Sequence, residues 1–397
     1  MSPIRPPVYL DYSATTPLDP RVFEKMRPWH TTAFGNPGSR DHRFGWDAAA
    51  AVEEARYHVA ALINAVPSEI VFTSCATESI NLAVKGWAFR RGGIRRAIVT
   101  TPVEHEAVLE SCRWLEAGGH VQATYLAVDA AGRLELREVE RAVHASRAGL
   151  VSVMSANNEI GTCYDVAGLA AVAHAAGALF FSDATQAAGK IPLDVRAVEF
   201  DLLAFSAHKL CGPQGVGALF VRRGTAEASL TPLLSGGGQE RGWRSGTLNV
   251  AGIVGFGEAC RIAAAEMASE AQQLCLLRDQ LESGILSALP GVTVNGGQVE
   301  RLPHITNLCF HGIGARTLIR QMHDIAVATR SACATAHTGP SHVLKAIGLS
   351  DDDAYSSLRF SLGRFTTAEE IAYAVDKVVT TTIRLRQPRT VPAPDTP

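Results

Sequence analysis

The chain has 397 residues, of which 47% are hydrophobic and 19% charged, and its formal net charge is −2. This is the composition of an ordinary globular protein, which argues against disorder, and the length predicts two or three domains around a large core. The near-zero charge gives no general attraction to nucleic acid or to anionic membranes, and no apolar run is long enough to span a bilayer. The N-terminus lacks an apolar signal core, so a cytoplasmic protein is expected.

The eight cysteines form neither a Cys-x-x-Cys pair nor the Cys/His spacing of a structural zinc site, so no metal centre is predicted. Without a secretory signal, reduced thiols are expected rather than a disulfide framework. Most of these cysteines are predicted to be small buried apolar residues.

The N-terminal region begins with a short extended piece, from Tyr9 to Thr16, and continues into a turn-rich loop, from Phe34 to Ser39. On its own, the pair Asn36-Pro37 in that loop is typical of the start of a turn.

A strand is predicted from Ile70 to Thr73, and apolar residues at helical spacing follow it. The turn between them contains Ala76 and Thr77, and the first backbone N–H groups of a helix can bind a phosphate. Thr77 is an equally good helix N-cap, so this signal is weak alone. The next predicted strand, from Ala97 to Thr101, is followed by His105, and a lone histidine there is usually a satisfied loop residue.

Three later apolar runs, each typical of a buried parallel strand, end in polar residues. These residues are Asn157 and Asn158, then Asp183 and Gln186, then Ser206, His208 and Lys209. Ligands of open α/β sheets bind beyond the carboxyl ends of the strands, so these side chains are expected to meet there.

Lys209 and Asp183 together indicate pyridoxal phosphate (PLP) chemistry. The cofactor needs a lysine amine for a Schiff base and a carboxylate that keeps the pyridine nitrogen protonated. Asn158 is expected to hydrogen-bond the phenolic oxygen of the ring and Gln186 to tune it. Taken singly, each residue has an ordinary structural explanation: Lys209 is explained by a lysine at the surface, and Asp183 by a helix N-cap.

Alternating strands and helices from about 70 to 225 predict a mostly parallel sheet with helices on both faces. We assign residues 16–261 to a large cofactor-binding domain, and residues 1–15 and 262–397 to a smaller αβ domain. A long helical stretch is predicted from Ile262 to Leu289, and the Pro-rich tail, 387–397, is expected to be disordered.

Cys333 differs from the other cysteines because it lies in a segment of small and polar residues, 328–341, which is typical of an exposed loop. Arg330 and His337 are expected to favour its reactive thiolate form. Without further context, an incidental loop thiol is the alternative interpretation.

Many of these segments, in this order, resemble those of the cysteine desulfurases of the NifS/IscS type, which belong to the class V aminotransferase family and to fold type I of the PLP enzymes. The matching segments are Tyr9 to Pro17, Phe34 to Pro37, Ala76 to Ser79, Asn157 to Gly161, Asp183 to Gln186, His208-Lys209, Gly236 to Gly242, Arg244 to Thr247, Ser331 to Cys333 and Arg359 to Thr366. Two positions depart from the family pattern: Cys75 and Arg330 stand where glycine is usual.

The resemblance implies that Lys209, Cys333 and His105 are catalytic. It implies a cofactor site formed by Ala76, Thr77, His105, Asn158, Asp183, Gln186, Ser206, His208 and Lys209, with Thr247 reaching the phosphate of the neighbouring subunit. It further implies that Asn36, Asn158 and Arg359 hold the substrate, since an arginine provides a bidentate fork for a carboxylate.

The implied reaction converts L-cysteine to L-alanine and an enzyme-bound persulfide, which passes to a sulfur-acceptor or scaffold protein. The implied enzyme is a cytoplasmic homodimer with shared active sites that binds neither nucleic acid nor membranes directly. The alternatives are a selenocysteine lyase of the same fold, an aminotransferase, which has no use for Cys333, or a non-catalytic sulfur-transfer scaffold.

Overall fold

The computed structural model describes residues 6–90, 96–224, 230–329 and 339–387. Its main feature is a seven-stranded sheet in the order β2-β8-β7-β6-β5-β3-β4. These strands are β2 (Ile70–Thr73), β3 (Ala97–Thr100), β4 (Gln122–Tyr125), β5 (Leu150–Ser152), β6 (Leu179–Asp183), β7 (Leu202–Ser206) and β8 (Gly217–Val221).

The sheet is parallel except at β8, which is antiparallel to both β2 and β7. Strands β5, β6 and β7 are consecutive neighbours in parallel register. Their carboxyl ends therefore lie side by side, which confirms the predicted mostly parallel sheet.

Helices cover both faces of this sheet because the strands are buried on both sides, and alternate residues of each strand contribute to two different cores. Phe72 and Leu203 belong to one core, with residues of α2 (Arg43–Leu62) and α6 (Val166–Ala175). Val71 and Leu202 belong to the other, with residues of α3 (Ala76–Ala88) and α4 (Glu106–Ala117). The remaining helices of this region are α1 (Pro20–Thr31) and α5 (Leu136–Ser146).

Helix α7 (Val250–Ala288) begins well before the predicted start at Ile262. Asn249 caps it by accepting a hydrogen bond from the backbone N–H of Gly252 at 3.1 Å. Residues Val250 to Gly257 are all buried, so this part of the helix has no amphipathic pattern for sequence analysis to detect.

A second region is built on an antiparallel sheet in the order β12-β10-β9 and on a parallel pair of strands, β1 and β11. Its elements are β1 (Val8–Tyr9), β9 (Val292–Val294), β10 (Ile305–Phe310), α8 (Ala315–Arg320), β11 (Ile325–Ala326), α9 (His342–Ala346), α10 (Asp351–Tyr355), β12 (Ser357–Ser361) and α11 (Ala368–Arg386). One core cluster joins Val8 and Leu10 to apolar residues from Leu274 to Val378. The domain division at residues 15 and 261 itself stays a prediction.

In the described part of the chain, no helix combines the length and apolar character needed to cross a membrane.

Candidate active site

Lys209 lies in a short 3₁₀ turn, Ala207–Lys209, directly after β7. Its Nζ donates hydrogen bonds to the backbone carbonyls of Ser13 and of Ala14, the latter at 2.7 Å. The amine is thus held at the carboxyl edge of the sheet by the N-terminal segment.

Asp183 is the last residue of β6, the strand beside β7, and Gln186 follows that strand. Asp183 is buried, and its Oδ1 accepts a hydrogen bond from the backbone N–H of Thr185 at 2.9 Å. Gln186 donates from Nε2 to the carbonyl of Ser13 at 3.0 Å. The carboxylate, the amide and the lysine therefore converge on one edge, as the three strand ends predicted.

Arg359, on β12, reaches this edge from the second region and is only 1% exposed. Its Nη2 forms an ion pair with Asp11 Oδ1 at 2.7 Å, and its Nη1 donates to the carbonyl of Asn158 at 2.9 Å. These contacts fix the guanidinium plane beside the strand ends.

The turn between β2 and α3 contributes the start of a helix. Cys75 is the N-cap residue of α3, no side chain caps this helix, and Ala76 and Thr77 form its first turn. Strand β8 passes close beneath: a Cβ at Gly217 would approach the backbone carbon of Cys75 to 2.7 Å, so glycine is required there. Uncapped N–H groups at a helix N-terminus favour a bound phosphate.

Two histidines border the same space. His105 is the N-cap of α4, where its Nδ1 accepts a hydrogen bond from the N–H of Ala107 at 3.1 Å, so the neutral ring carries its proton on Nε2. His208 lies 3.1 Å from Thr15 Oγ1, and burial together with the charge of Lys209 lowers its pKa to about 4. His208 is therefore neutral at physiological pH.

These groups surround one open cavity. Its wall includes the predicted residues Ala76, Thr77, His105, Asn158, Asp183, Gln186, His208, Lys209 and Arg359. Cys75, one of the two departures from the family pattern, also lies on the wall.

Three predicted residues are placed elsewhere in this chain. Asn36 is exposed and its Oδ1 accepts from the N–H of Gly38 at 2.9 Å, while Thr247 is exposed in the glycine-rich segment. Ser206 is buried and its hydroxyl donates to the carbonyl of Val216 at 3.3 Å. Their roles in the site stay predictions.

Sequence analysis gave no role to Ser13 and Asp11, although it included both in a matching segment. Ser13 lies on the cavity wall and Asp11 orients Arg359. The only indication of these roles in the sequence was that two polar side chains lie within a short extended segment.

Cys333, Arg330 and His337 lie outside the described residues, but the described residues on both sides of residues 330–338 lie near the cavity. On one side, Ala328 exchanges backbone hydrogen bonds with Arg359 at 2.7 and 3.3 Å. On the other side, Ser341 donates to Glu159 Oε2 at 2.5 Å, and His342 Nε2 lies 2.9 Å from the carbonyl of Glu104.

Comparisons with known proteins agree with this geometry. The model of the family "Aminotransferase class-V" matches residues 8–373. The cysteine desulfurase IscS of Klebsiella pneumoniae is 48% identical over 385 residues, which is 96% of this chain and 94% of that protein.

Solved structures are also similar. A NifS-like protein aligns with a TM-score of 0.86 at 39% identity, covering 94% of this chain and 98% of that one. The structure of SspA in complex with cysteine aligns with a TM-score of 0.79 at 35% identity, covering 91% of this chain and 100% of that one. With a family match over most of its length and a relative of 48% identity, the chain belongs to the aminotransferase class-V family.

Proposed function

We propose that the protein is a PLP-dependent cysteine desulfurase that releases L-alanine from L-cysteine and keeps the sulfur as a persulfide on Cys333. The observation that carries the proposal is the convergence of Lys209, Asp183 and Arg359 on one cavity. The near full-length similarity to a cysteine desulfurase supports the choice of substrate.

The residues of the cavity fit PLP, the cofactor of this family. The site offers an amine, a carboxylate and an uncapped helix N-terminus, which match the aldehyde, the pyridine nitrogen and the phosphate. Two buried polar atoms of its wall, Ser13 Oγ and Arg359 Nε, have no hydrogen-bond partner within the described chain. Buried polar groups are normally satisfied, so both atoms are consistent with a wall that faces a bound molecule.

When bound, PLP supplies an electron-withdrawing ring that takes up the electrons released at the substrate Cα. Lys209 provides the amine that holds the cofactor and, once freed, accepts the Cα proton on Nζ. Asp183, whose side chain is buried, would pair with the ring nitrogen and keep it protonated.

Arg359 orients the substrate carboxylate, with help from Asn158 and Asn36. Because Asp11 and the carbonyl of Asn158 already accept hydrogen bonds from Nη2 and Nη1, the carboxylate meets a guanidinium whose plane is fixed beforehand. His105 handles a proton near the substrate sulfur through its Nε2.

Cys333 then attacks the substrate sulfur as a thiolate. The carbon–sulfur bond breaks, its electron pair stays with the carbon, and a sulfur–sulfur bond forms. In total, one cysteine and one enzyme thiol give one alanine and one enzyme persulfide, and no external oxidant is needed. The two anchored flanks of residues 330–338 support an approach of this thiol to the cavity.

We test this assignment by mapping the persulfide. After a single turnover with L-cysteine, alkylation and peptide mass spectrometry are expected to place one extra sulfur on Cys333. A Cys333→Ser variant is expected to keep its cofactor spectrum but to carry no persulfide. Cys275→Ser, a control at a partly buried thiol that does not line the cavity, is expected to behave as the wild type. A persulfide on another cysteine, or one formed by Cys333→Ser, would overturn the assignment.

We also propose that the enzyme acts in the cytoplasm as a homodimer and passes its sulfur to an acceptor protein. The placement of Thr247 and Asn36 on the surface of the single chain supports a site completed by a second subunit.

Comparing turnover on L-cysteine and L-selenocysteine distinguishes a cysteine desulfurase from a selenocysteine lyase, which would prefer the selenium substrate.

A further inference from the structure

Three potential metal ligands meet on the small antiparallel sheet, outside the cavity. Cys309 lies near the end of β10 and is 1% exposed, His311 follows that strand, and Asp353 lies in α10. Cys309 Sγ is 3.6 Å from His311 Nδ1 and 3.8 Å from Asp353 Oδ1, and the last two atoms are 2.7 Å apart. The three donor atoms therefore all lie within 4.8 Å of one another.

Two of the three distances between the donor atoms match those expected around a tetrahedral zinc ion. Zinc–sulfur bonds of about 2.3 Å and zinc–nitrogen or zinc–oxygen bonds of about 2.0–2.1 Å place sulfur about 3.5 Å from each other ligand, and nitrogen about 3.3 Å from oxygen. Both distances from Cys309 Sγ lie close to this value. The separation between Nδ1 and Oδ1 is the length of a hydrogen bond, so a bound ion has to widen it by about half an ångström.

Outer contacts hold two of the three ligands in a binding orientation. Thr293 Oγ1 lies 3.0 Å from His311 Nε2 and can accept its proton when an ion replaces the hydrogen bond between His311 Nδ1 and Asp353 Oδ1. Ser350 donates to Asp353 Oδ2 at 2.8 Å, which leaves Oδ1 facing the cysteine. Such second partners are typical of protein metal ligands.

The arrangement does not fit a nucleophilic thiol. A catalytic Cys-His-Asp set uses one imidazole nitrogen for the thiol and the other for the carboxylate. Here the same atom, Nδ1 of His311, faces both Cys309 and Asp353. Burial also raises the pKa of Cys309 to about 11, so the resting group is a thiol that a metal ion has to deprotonate.

We propose that Cys309, His311 and Asp353 bind one Zn²⁺ ion, with water as the fourth ligand. A set of one sulfur, one nitrogen and one oxygen favours zinc over the oxygen-seeking Mg²⁺ and Ca²⁺. The side chains of His311 and Asp353 are 44% and 37% exposed, which leaves a path for the ion and its water. The sequence prediction of no metal site considered Cys/His spacing and could not include an aspartate far along the chain.

Such an ion connects β10 to α10. In the sequence, Cys333 lies between these two elements. An ion that binds only the folded protein stabilises it by RT ln(1 + [Zn²⁺]/Kd).

The test is a titration of the full-length holoenzyme in a Cys333→Ser background, which removes the thiol proposed to carry the persulfide. Co²⁺ is the spectroscopic probe and Zn²⁺ is measured by chelator competition, with the cofactor spectrum subtracted. One equivalent of Co²⁺ per chain is expected to give a thiolate-to-cobalt charge-transfer band, and Zn²⁺ to displace it and raise the melting temperature.

His311→Asn and Asp353→Asn are expected to weaken Zn²⁺ binding by about 100-fold, and Thr293→Val by about tenfold. Cys309→Ser should lose the charge-transfer band. If this substitution at a buried residue prevents folding, His311→Asn and Asp353→Asn, at partly exposed residues, still test the proposal. Cys275→Ser is the matched control, because Cys275 Sγ also lies near a carboxylate, 3.7 Å from Asp279 Oδ2, and it should bind as the parent does. No thiolate band in the parent, or an unchanged band in Cys309→Ser, would overturn the proposal.

Discussion

Arg359 illustrates how a single residue can be held ready for a ligand. A buried guanidinium is costly unless it is paired, and this one has Asp11 and a backbone carbonyl on one side. Its buried Nε lacks a partner within the described chain, and the residue lines the cavity. Sequence analysis identified the arginine from its motif, but it missed Asp11 because the two residues are brought together only by the pairing of the N-terminal segment with β12.

His174 makes stability depend on pH. Its Nε2 lies 2.7 Å from Asp201 Oδ2, and this hydrogen bond raises the pKa of the histidine. The stabilisation is complete below the unfolded pKa of about 6.5 and is lost as the pH rises through the folded value.

His174→Gln should therefore destabilise the protein most at acidic pH, and its difference from the wild type should shrink as the pH rises. Melting temperatures of both proteins between about pH 5.5 and 8.5 measure this. His30→Gln, at an exposed histidine of α1, is the control. A difference that grows toward alkaline pH would contradict the assignment.

At the scale of elements, the short strands were predictable and helix α7 was only partly so. Strands β5, β6 and β7 are buried runs of apolar residues that end in polar ones, a pattern visible in the sequence. The first part of α7 is apolar on all sides and contains glycines that usually argue against a helix. Gly257 is needed because a Cβ there would come within 2.5 Å of Ala55 Cα in α2, a contact that only the folded structure shows.

The start of α3 gives a prediction about cofactor affinity. Its N-cap, Cys75, makes no capping hydrogen bond, so the helix end is left for a phosphate. Cys75→Asp should stabilise the cofactor-free protein by about 0.5–2 kcal/mol, because aspartate is a good N-cap. The same carboxylate competes with and repels the phosphate, so the apparent affinity for PLP should fall at least tenfold.

Cys75→Gly is the matched control, since glycine restores the residue usual in the family and adds no charge. Thermal melts of the cofactor-free proteins and spectroscopic PLP titrations provide both readouts. Unchanged or tighter PLP binding in Cys75→Asp would show that the phosphate does not bind at this helix.

At the scale of the whole molecule, a single chain accounts for most of the predicted cofactor site but leaves Thr247 and Asn36 at the surface. Sequence patterns identify such residues without showing which subunit they serve, because that depends on the symmetry of an assembly. Sequence patterns likewise do not give the position of Cys333. The fold does show that Ala328, before residues 330–338, bonds to Arg359, and that Ser341, after them, bonds to Glu159.

If Thr247 serves the neighbouring subunit, two inactive variants should complement each other. Lys209→Ala removes the amine of its own site, and Thr247→Glu repels the phosphate of the partner's site. Refolding an equal mixture should restore activity at about a quarter of the sites, because half of the dimers are mixed and each has one intact site. Absence of recovery, with mixed dimers verified by mass spectrometry, would place Thr247 outside the shared site.

The most direct test of the central claim is the product formed from L-cysteine in the presence of a thiol reductant. The wild type should release alanine and sulfide in equal amounts, Lys209→Ala should release neither, and Lys25→Ala, which changes an exposed lysine of α1, should match the wild type. Alanine formation by Lys209→Ala, or pyruvate in place of alanine from the wild type, would contradict a PLP-dependent desulfurase built on Lys209.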